Sequence, residues 1–177
     1  MVRTFIGVVI PEDIKRYVIG IQEQLKSLPI EAKLAEPENL HISMSFLGDV
    51  DDSEVEKIKF KLDEISKSYD AFEIILGNII LMPDEKFTRV IAFDVRSDAL
   101  ESVRKDVVKS IGGKSHPAHL TLARVKVIAE SEKFAGNVNK KIAQKEMRVK
   151  IDGMCLVESM LQRNGPFYKI LHKSHLK

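Results

Sequence analysis

Two short stretches of the chain pair a histidine with a hydroxyl residue two positions later. They are His41–Met44, with the sequence HISM, and His119–Leu122, with the sequence HLTL. Successive side chains of an extended strand point to opposite faces, so each histidine shares a face with its hydroxyl partner while the apolar residues point into a core. Two such strands lying together would present two imidazoles and two hydroxyls to one surface, which is a candidate two-histidine active site.

Two facing imidazoles suit in-line displacement at phosphorus. The ordinary histidine pKa of about 6.5 allows one ring to accept a proton near neutral pH while its charged partner donates one. One histidine would activate the nucleophile and the other would protonate the leaving oxygen. Ser43 and Thr121 would donate hydrogen bonds to the non-bridging phosphate oxygens. We therefore predict that His41 and His119 are catalytic, that Ser43 and Thr121 bind phosphate, and that the site requires no metal or cofactor.

A structural role and a zinc site are the alternatives to this interpretation. A single histidine on a strand is more often a hydrogen-bonded structural residue, but two matches at equivalent positions are harder to attribute to chance. Zinc is considered because His116 and His119 are three residues apart, as are His172 and His175. No carboxylate or cysteine cluster accompanies either pair, so zinc is disfavoured, and we expect His172 and His175 in a solvated tail.

Hydrophobic periodicity predicts the elements that position the two histidine strands. A strand, an amphipathic helix, a loop and a histidine strand follow one another twice, over residues 4–49 and 88–127, which indicates an internal duplication. The first of the two loops is polar and contains Pro37. Beyond the duplicated region we expect a helix over roughly 130–143 and an antiparallel hairpin that turns at Asn164-Gly165.

These elements predict an α+β fold for residues 1–177, which we expect to form a single bilobal domain. Its two lobes would be related by a pseudo-twofold axis, each with a mainly antiparallel sheet and with helices on the outer face. The active-site cleft would then lie between the lobes. The pseudo-twofold axis is what would bring two distant histidine motifs into one site.

Composition and charge narrow the class of protein. The 28 basic and 26 acidic residues give a net charge of +2, so nucleic acid would bind in a local pocket and not over a broad basic surface. No apolar run approaches the roughly 20 residues that span a membrane, and the N-terminus does not have a signal peptide's pattern. We therefore expect a cytoplasmic monomer with no membrane partner. Cys155 is the only cysteine and is expected in the core.

The sequence resembles the two-histidine (2H) phosphoesterase superfamily, in particular the RNA 2′,3′-cyclic phosphodiesterases, also called 2′-5′ RNA ligases. The resemblance covers nearly the whole chain. Two departures from the family pattern are Ser43, where threonine is common, and Ala118, which separates Pro117 from His119. The resemblance rests on four stretches: HISMSFLG at 41–48, HLTLAR at 119–124, RTFI at 3–6 and GPFY at 165–168.

The resemblance implies metal-independent hydrolysis of RNA 2′,3′-cyclic phosphate ends to a 2′-phosphomonoester. His41 would be the general acid on the 3′ leaving oxygen and His119 the base that activates water. RNA 3′ ends or cyclic nucleotides are the implied partners. The same site could run backwards as a 2′-5′ RNA ligase, and a non-catalytic RNA-binding module is a third hypothesis. The presence of both histidines and both hydroxyl residues argues against an inactive site.

Phe46 and Arg124 each lie five residues beyond a histidine, so pseudo-symmetry could place both at the mouth of the cleft. There Phe46 could stack on a base, and Arg124 could contact base or phosphate. The alternative is that Phe46, which shares the apolar register of its strand, belongs to the core.

Overall fold

The computed structural model describes residues 1–129, 131–163 and 165–177 of the chain, with the side chains of residues 131–133 left aside. A short 3₁₀ helix occupies Pro37–Asn39. The remaining elements, in chain order, are β1 Val2–Val9, α1 Glu12–Leu25, β2 Ile30–Leu34, β3 His41–Val50, α2 Asp52–Ser66, β4 Phe72–Met82, β5 Val90–Arg96, α3 Asp98–Ser110, β6 His119–Ile128, α4 Ser131–Lys141, β7 Met147–Ile151, β8 Gly153–Gln162 and β9 Gly165–His175.

The strands form one antiparallel sheet that has two halves. The order is β7-β4-β5-β6-β3-β1-β8-β9, with β2 also paired to β6. The halves meet where β3 pairs with β6, at Ile42 opposite Leu120. The predicted α+β class with a mainly antiparallel sheet is therefore confirmed. The two lobes share a continuous sheet because the histidine strands themselves form the joint.

The two histidine strands have the predicted alternation. Each is 10 residues long and begins at its histidine. Ile42 and Leu120 are fully buried, as are Met44 and Leu122, while the histidines and hydroxyl residues are only partly covered. One face of each strand therefore packs into the core, and the opposite face is free to form a cleft.

The neighbouring strands repeat the same register in both halves. Val9 of β1 lies opposite His41, and Asp94 of β5 lies opposite His119. The helices are exchanged between the halves, since α1 packs against β6 and α3 packs against β3. We infer from these correspondences an internal duplication over residues 4–49 and 88–127, in which each unit supports the histidine strand of the other.

The connecting segments are exchanged in the same way. Lys33 of β2, which precedes the first histidine, pairs with Arg124 of β6. Lys114, which precedes the second histidine, forms an isolated antiparallel bridge with Phe46 of β3. The polar loop predicted around Pro37 therefore contains a short strand that the sequence analysis missed. β2 forms because an edge of β6 is available for pairing, which is a tertiary effect and not a local preference.

The C-terminal region departs from the prediction at the two last histidines. β9 continues to His175, and His172 Nε2 lies 2.8 Å from Asp63 Oδ1 of α2. The expectation of a solvated tail is therefore wrong, because the segment is the edge strand paired along β8. The predicted hairpin turn includes Asn164, and the start of the predicted fourth helix includes Glu130, and both residues lie outside the described part of the chain.

Cys155 is buried, which confirms the prediction that it lies in the core. Within the described residues, the helices are all too short or too polar to cross a membrane.

Candidate active site

One cleft contains every residue that the sequence analysis singled out for chemistry. The antiparallel register at Ile42 and Leu120 places the first histidine beside Thr121 and the second beside Ser43. Each histidine therefore has one hydroxyl on its own strand and another on the neighbouring strand. The cleft is lined by all six predicted residues, namely His41, Ser43, Phe46, His119, Thr121 and Arg124.

A β-bulge in each histidine strand turns the last two of these residues toward the cleft. On β3 the pairing with β1 skips Met44, and on β6 the pairing with β5 skips Leu122 at the equivalent position. An extra residue reverses the alternation beyond it, so Phe46 leaves the core register and its side chain is 42% exposed. The alternative that Phe46 belongs to the core is therefore wrong.

The bulge in β6 has its own support from α1. Gln22 is a buried polar residue whose Nε2 donates to Leu122 O (2.9 Å) and to Ala35 O (2.8 Å). Leu122 O also accepts from Ala35 N at 2.9 Å, so the carbonyl at the bulge has two donors. Gln22 links α1 both to the bulge and to the residue that follows β2, and so stabilises the strand geometry that exposes Arg124.

Phe46 and Arg124 flank opposite ends of the histidine pair. The Phe46 ring lies 6.1 Å from the ring of His116, on the side of the second histidine. Burial lowers the pKa of His41 and raises that of Tyr168, and the charge of the nearby Arg124 acts on both side chains in the lowering direction. In the antiparallel pair the two residues therefore lie toward opposite ends of one cleft, which both of them line.

His41 is enclosed by aromatic rings. Its ring centroid lies 4.6 Å from that of Phe5 and 5.0 Å from that of Tyr168, which meets it edge-on. This burial lowers the pKa of His41 below its ordinary value, and the charges of His119 and Arg124 lower it further, against an opposing hydrogen bond from the ring to Asn39 O. The neutral imidazole is therefore favoured in the unliganded protein.

The hydrogen bonds of both imidazoles define their tautomers. His41 Nδ1 lies 2.6 Å from Asn39 O, and His119 Nδ1 lies 2.9 Å from Pro117 O. A carbonyl oxygen can only accept, so Nδ1 carries the proton in each neutral ring. Nε2 is then available to the cleft, where His41 Nε2 lies 2.9 Å from Ser43 Oγ. Both rings are therefore arranged to exchange protons through Nε2.

Four further polar residues that were not predicted as site residues also line the cleft. Tyr168 was present only in the GPFY stretch of the family resemblance, and no local pattern distinguished Lys33, Glu36 or Asn39. Partial burial opposes ionisation of Glu36, but hydrogen bonds from Lys33, from the backbone and from Asn39, together with the charge of Lys33, outweigh it and hold the pKa of Glu36 below the usual value. The end of the cleft near His41 therefore carries the ion pair of Lys33 with Glu36 and, in addition, the guanidinium of Arg124.

The zinc alternative finds no additional ligands near its histidine pairs. In the described part of the chain, no group of three His, Cys, Asp or Glu side chains has the arrangement of a metal site. His172 Nε2 lies within hydrogen-bond distance of Asp63 Oδ1, and the ring of His116 lies beside that of Phe46.

The enclosure of His41 makes a prediction about its titration. Tyr168→Ala should raise the pKa of His41 toward the ordinary histidine value, because water would reach the ring and stabilise its charged form. A pH titration of the His41 ring proton resonance by NMR measures this shift. Tyr168→Phe is the matched control and should leave the pKa low, since the ring remains. An unchanged titration in Tyr168→Ala would contradict the explanation.

Comparison with known proteins places this chain in a known class. A family model described as "LigT like Phosphoesterase" matches residues 8–92. An RNA 2′,3′-cyclic phosphodiesterase of Methanocaldococcus jannaschii is 31% identical over 175 residues, which cover 96% of this chain and 98% of the relative. One of Methanothermobacter thermautotrophicus is 29% identical, covering 94% of this chain and 95% of the relative.

Solved structures agree on the fold. The crystal structure of a Thermus thermophilus protein superposes with a TM-score of 0.80 at 21% identity, covering 98% of this chain and 97% of the other. Apo E. coli LigT gives a TM-score of 0.75 at 18% identity, covering 99% and 98%. An α+β sheet whose two central strands each carry a histidine and a hydroxyl residue is the architecture of two-histidine phosphoesterases. This chain belongs to the LigT-like phosphoesterase family of that superfamily.

Proposed function

We propose that this protein hydrolyses the 2′,3′-cyclic phosphate at RNA 3′ ends to a 2′-phosphomonoester, without a metal ion. The observation that carries the proposal is the pairing of β3 with β6, which sets two histidine and two hydroxyl side chains around one cleft. The names of the curated relatives, which are RNA 2′,3′-cyclic phosphodiesterases, support the same activity.

The proposed reaction follows the roles that the family resemblance assigns. His119 Nε2 takes a proton from water, the water oxygen bonds to phosphorus, the bond from phosphorus to O3′ breaks, and His41 Nε2 gives its proton to O3′. The negative charge of the bound phosphate favours the protonated form of His41, which offsets the effect of burial on its pKa. Ser43 and Thr121 donate hydrogen bonds to the non-bridging oxygens as charge develops there.

The nucleotide-binding roles of Phe46 and Arg124 rest on their position beside the histidines. The exposed ring of Phe46 would stack on a base, and Arg124 would meet a base edge or a phosphate. E. coli LigT has been crystallised in complexes with phosphate, 3′-AMP, ATP and NADP⁺. These ligands support a cleft that accepts nucleotides and their phosphate groups.

The stacking role gives a prediction for Phe46→Ala. Loss of a base-stacking ring costs about 1–3 kcal/mol, so KM for a cyclic-phosphate oligonucleotide should rise by about 5- to 150-fold with a smaller change in kcat. Steady-state kinetics measure the two constants. Phe60→Ala is the control, because Phe60 is exposed on α2 away from the cleft. Equal kinetics for both variants would contradict stacking at Phe46.

The proposed activity is tested with an oligonucleotide that ends in a 2′,3′-cyclic phosphate, assayed in excess EDTA. The expected product is a 2′-phosphomonoester, formed at the same rate with and without chelator. Loss of activity in EDTA would contradict the metal-independent mechanism, and a 3′-phosphomonoester would contradict the assignment of O3′ as leaving group.

The same site could also catalyse the reverse reaction, forming a 2′-5′ linkage when a 5′-hydroxyl replaces water. Product analysis at increasing RNA concentration separates hydrolysis from ligation, and hydrolysis is expected to dominate in water. Binding of RNA without any turnover would favour the third hypothesis, an RNA-binding module. The monomeric state and the cytoplasmic location stay predictions.

A further inference from the structure

The two imidazoles are held by the same device in both halves of the protein. Each Nδ1 donates to the carbonyl of the residue two positions earlier, Asn39 for His41 and Pro117 for His119. We propose that Asn39 and Arg104 are the positioning residues of the site, each fixing the segment that carries one of these carbonyls. As a claim about catalysis, this inference rests on the proposed function, because it concerns the same two histidines.

Asn39 connects two parts of the site. Its backbone carbonyl accepts from His41, and its side chain bonds to β9, the edge strand that encloses the His41 ring. The side chain is only 8% exposed, and Nδ2 donates to Pro166 O at 2.7 Å. Tyr168, two residues further along β9, is the ring that meets His41 edge-on. Nδ2 also donates to Glu36 Oε2 over a longer distance, 3.4 Å. The bond from Asn39 to Pro166 therefore fixes both the acceptor of the Nδ1 proton and the aromatic wall of the imidazole.

The cost of this arrangement points to a role beyond packing. Asn39 Oδ1 is buried and has no hydrogen-bond partner among the described residues. Burying an acceptor without a partner is unfavourable, and native proteins keep few such groups. The bonds of this amide are therefore made through its donor Nδ2, whose shorter bond is the one to Pro166 O.

Arg104 performs the corresponding task for His119 from the outer helix α3. Its Nη1 donates to His116 O at 3.2 Å and also bonds Ser115 Oγ, while Glu101 on the same helix pairs with the guanidinium. The next residue, Pro117, supplies the carbonyl that accepts from His119. Because proline has no backbone N–H, the segment cannot be tied at that residue by a main-chain donor. The guanidinium of Arg104, which has five donors, instead holds the two residues that precede Pro117.

The consequence of losing either tie is specific to one ring. A neutral imidazole that loses the acceptor at Nδ1 is free to rotate and to carry its proton on Nε2, where it can no longer accept one from water or hydroxyl in the cleft. Altering Asn39 should therefore disturb His41 and spare His119. Altering Arg104 should do the reverse.

The test uses isotope-labelled histidine and reads the tautomer of each ring from its nitrogen chemical shifts, with no substrate present. In the unaltered protein both rings should be protonated at Nδ1. In Asn39→Asp, which has nearly the same volume but cannot donate to Pro166 O, His41 should lose this preference. In Arg104→Met, His119 should lose it. In both variants kcat/KM should fall by about 10- to 100-fold.

Matched controls separate positioning from general stability. Asn139 makes two side-chain hydrogen bonds to Ile79 of β4, away from the cleft, and Arg148 pairs with Glu73 at the surface. Asn139→Asp and Arg148→Met should leave both tautomers and kcat/KM unchanged. If Asn39→Asp does not fold, Asn39→Ser provides the same reading with a smaller side chain.

Two outcomes would overturn the inference. One is retention of the Nδ1 proton on the expected ring in both variants, and the other is an equal disturbance of both rings by either variant. Because the tautomers are measured without substrate, a protein that positions its histidines as described but hydrolyses no cyclic phosphate would disprove the proposed function and leave the positioning roles intact.

Discussion

Replacement of either His41 or His119 by alanine should reduce kcat on a 2′,3′-cyclic phosphate oligonucleotide by about 10²- to 10⁴-fold, which is the usual contribution of general acid or base catalysis. Both rings are only partly buried on the cleft side of the sheet, so their removal should leave the fold intact. Single-turnover rates and a thermal unfolding curve for each variant provide the measurement.

His175→Ala is the matched control, because His175 is exposed at the end of β9 and outside the cleft. Its kcat should equal that of the unaltered protein. The double variant of His41 and His119 should be little slower than the slower single variant, since the two rings act on one proton-transfer sequence. Full activity in both single variants would exclude the paired-histidine mechanism.

The second large effect is expected at the hydroxyl residues. Thr121→Val, which keeps the shape of the side chain but removes its donor, should reduce kcat by about 10²- to 10³-fold, as loss of one transition-state donor does elsewhere. KM should change little, because the hydrogen bond strengthens only as charge develops on phosphate. Ser43→Ala should behave similarly, with an added contribution from its contact to His41 Nε2 at 2.9 Å.

Conservative replacements give the controls for this second prediction. Ser43→Thr and Thr121→Ser both keep a hydroxyl on the cleft face and should retain most of the activity. A pronounced loss in these two variants, equal to that in the variants without a hydroxyl, would show that shape and not hydrogen bonding matters at these positions. A rise in KM with unchanged kcat would instead assign the hydroxyls to ground-state binding.

The alternation of residue types was sufficient to predict the strands and the site's main side chains. In both histidine strands, period-two burial places His41 with Ser43 and His119 with Thr121. The repetition of the pattern also supplied a reason for the two strands to meet. These features are local or repeated, so a single sequence contains them.

Features that depend on a distant partner could not be predicted in this way. The bulge that exposes Phe46 exists only in the pairing of β3 with β1, and β2 forms only against β6. The bond from Asn39 to Pro166 spans 127 residues of sequence. Arg104 lies on a helix whose polar face gives no sign that it reaches a loop beside the cleft.

Because helices and connecting segments are exchanged between the two halves, formation of the cleft depends on both halves. Lys33 and Lys114 each complete the strand that belongs to the other unit, and α1 and α3 each support the opposite histidine strand. A single unit in isolation would have neither a covered core face nor a neighbour for its histidine, and could obtain both only from a second copy. If the inferred duplication holds, the chain corresponds to two copies of one unit joined in tandem, and the cleft should form only when both halves have folded together.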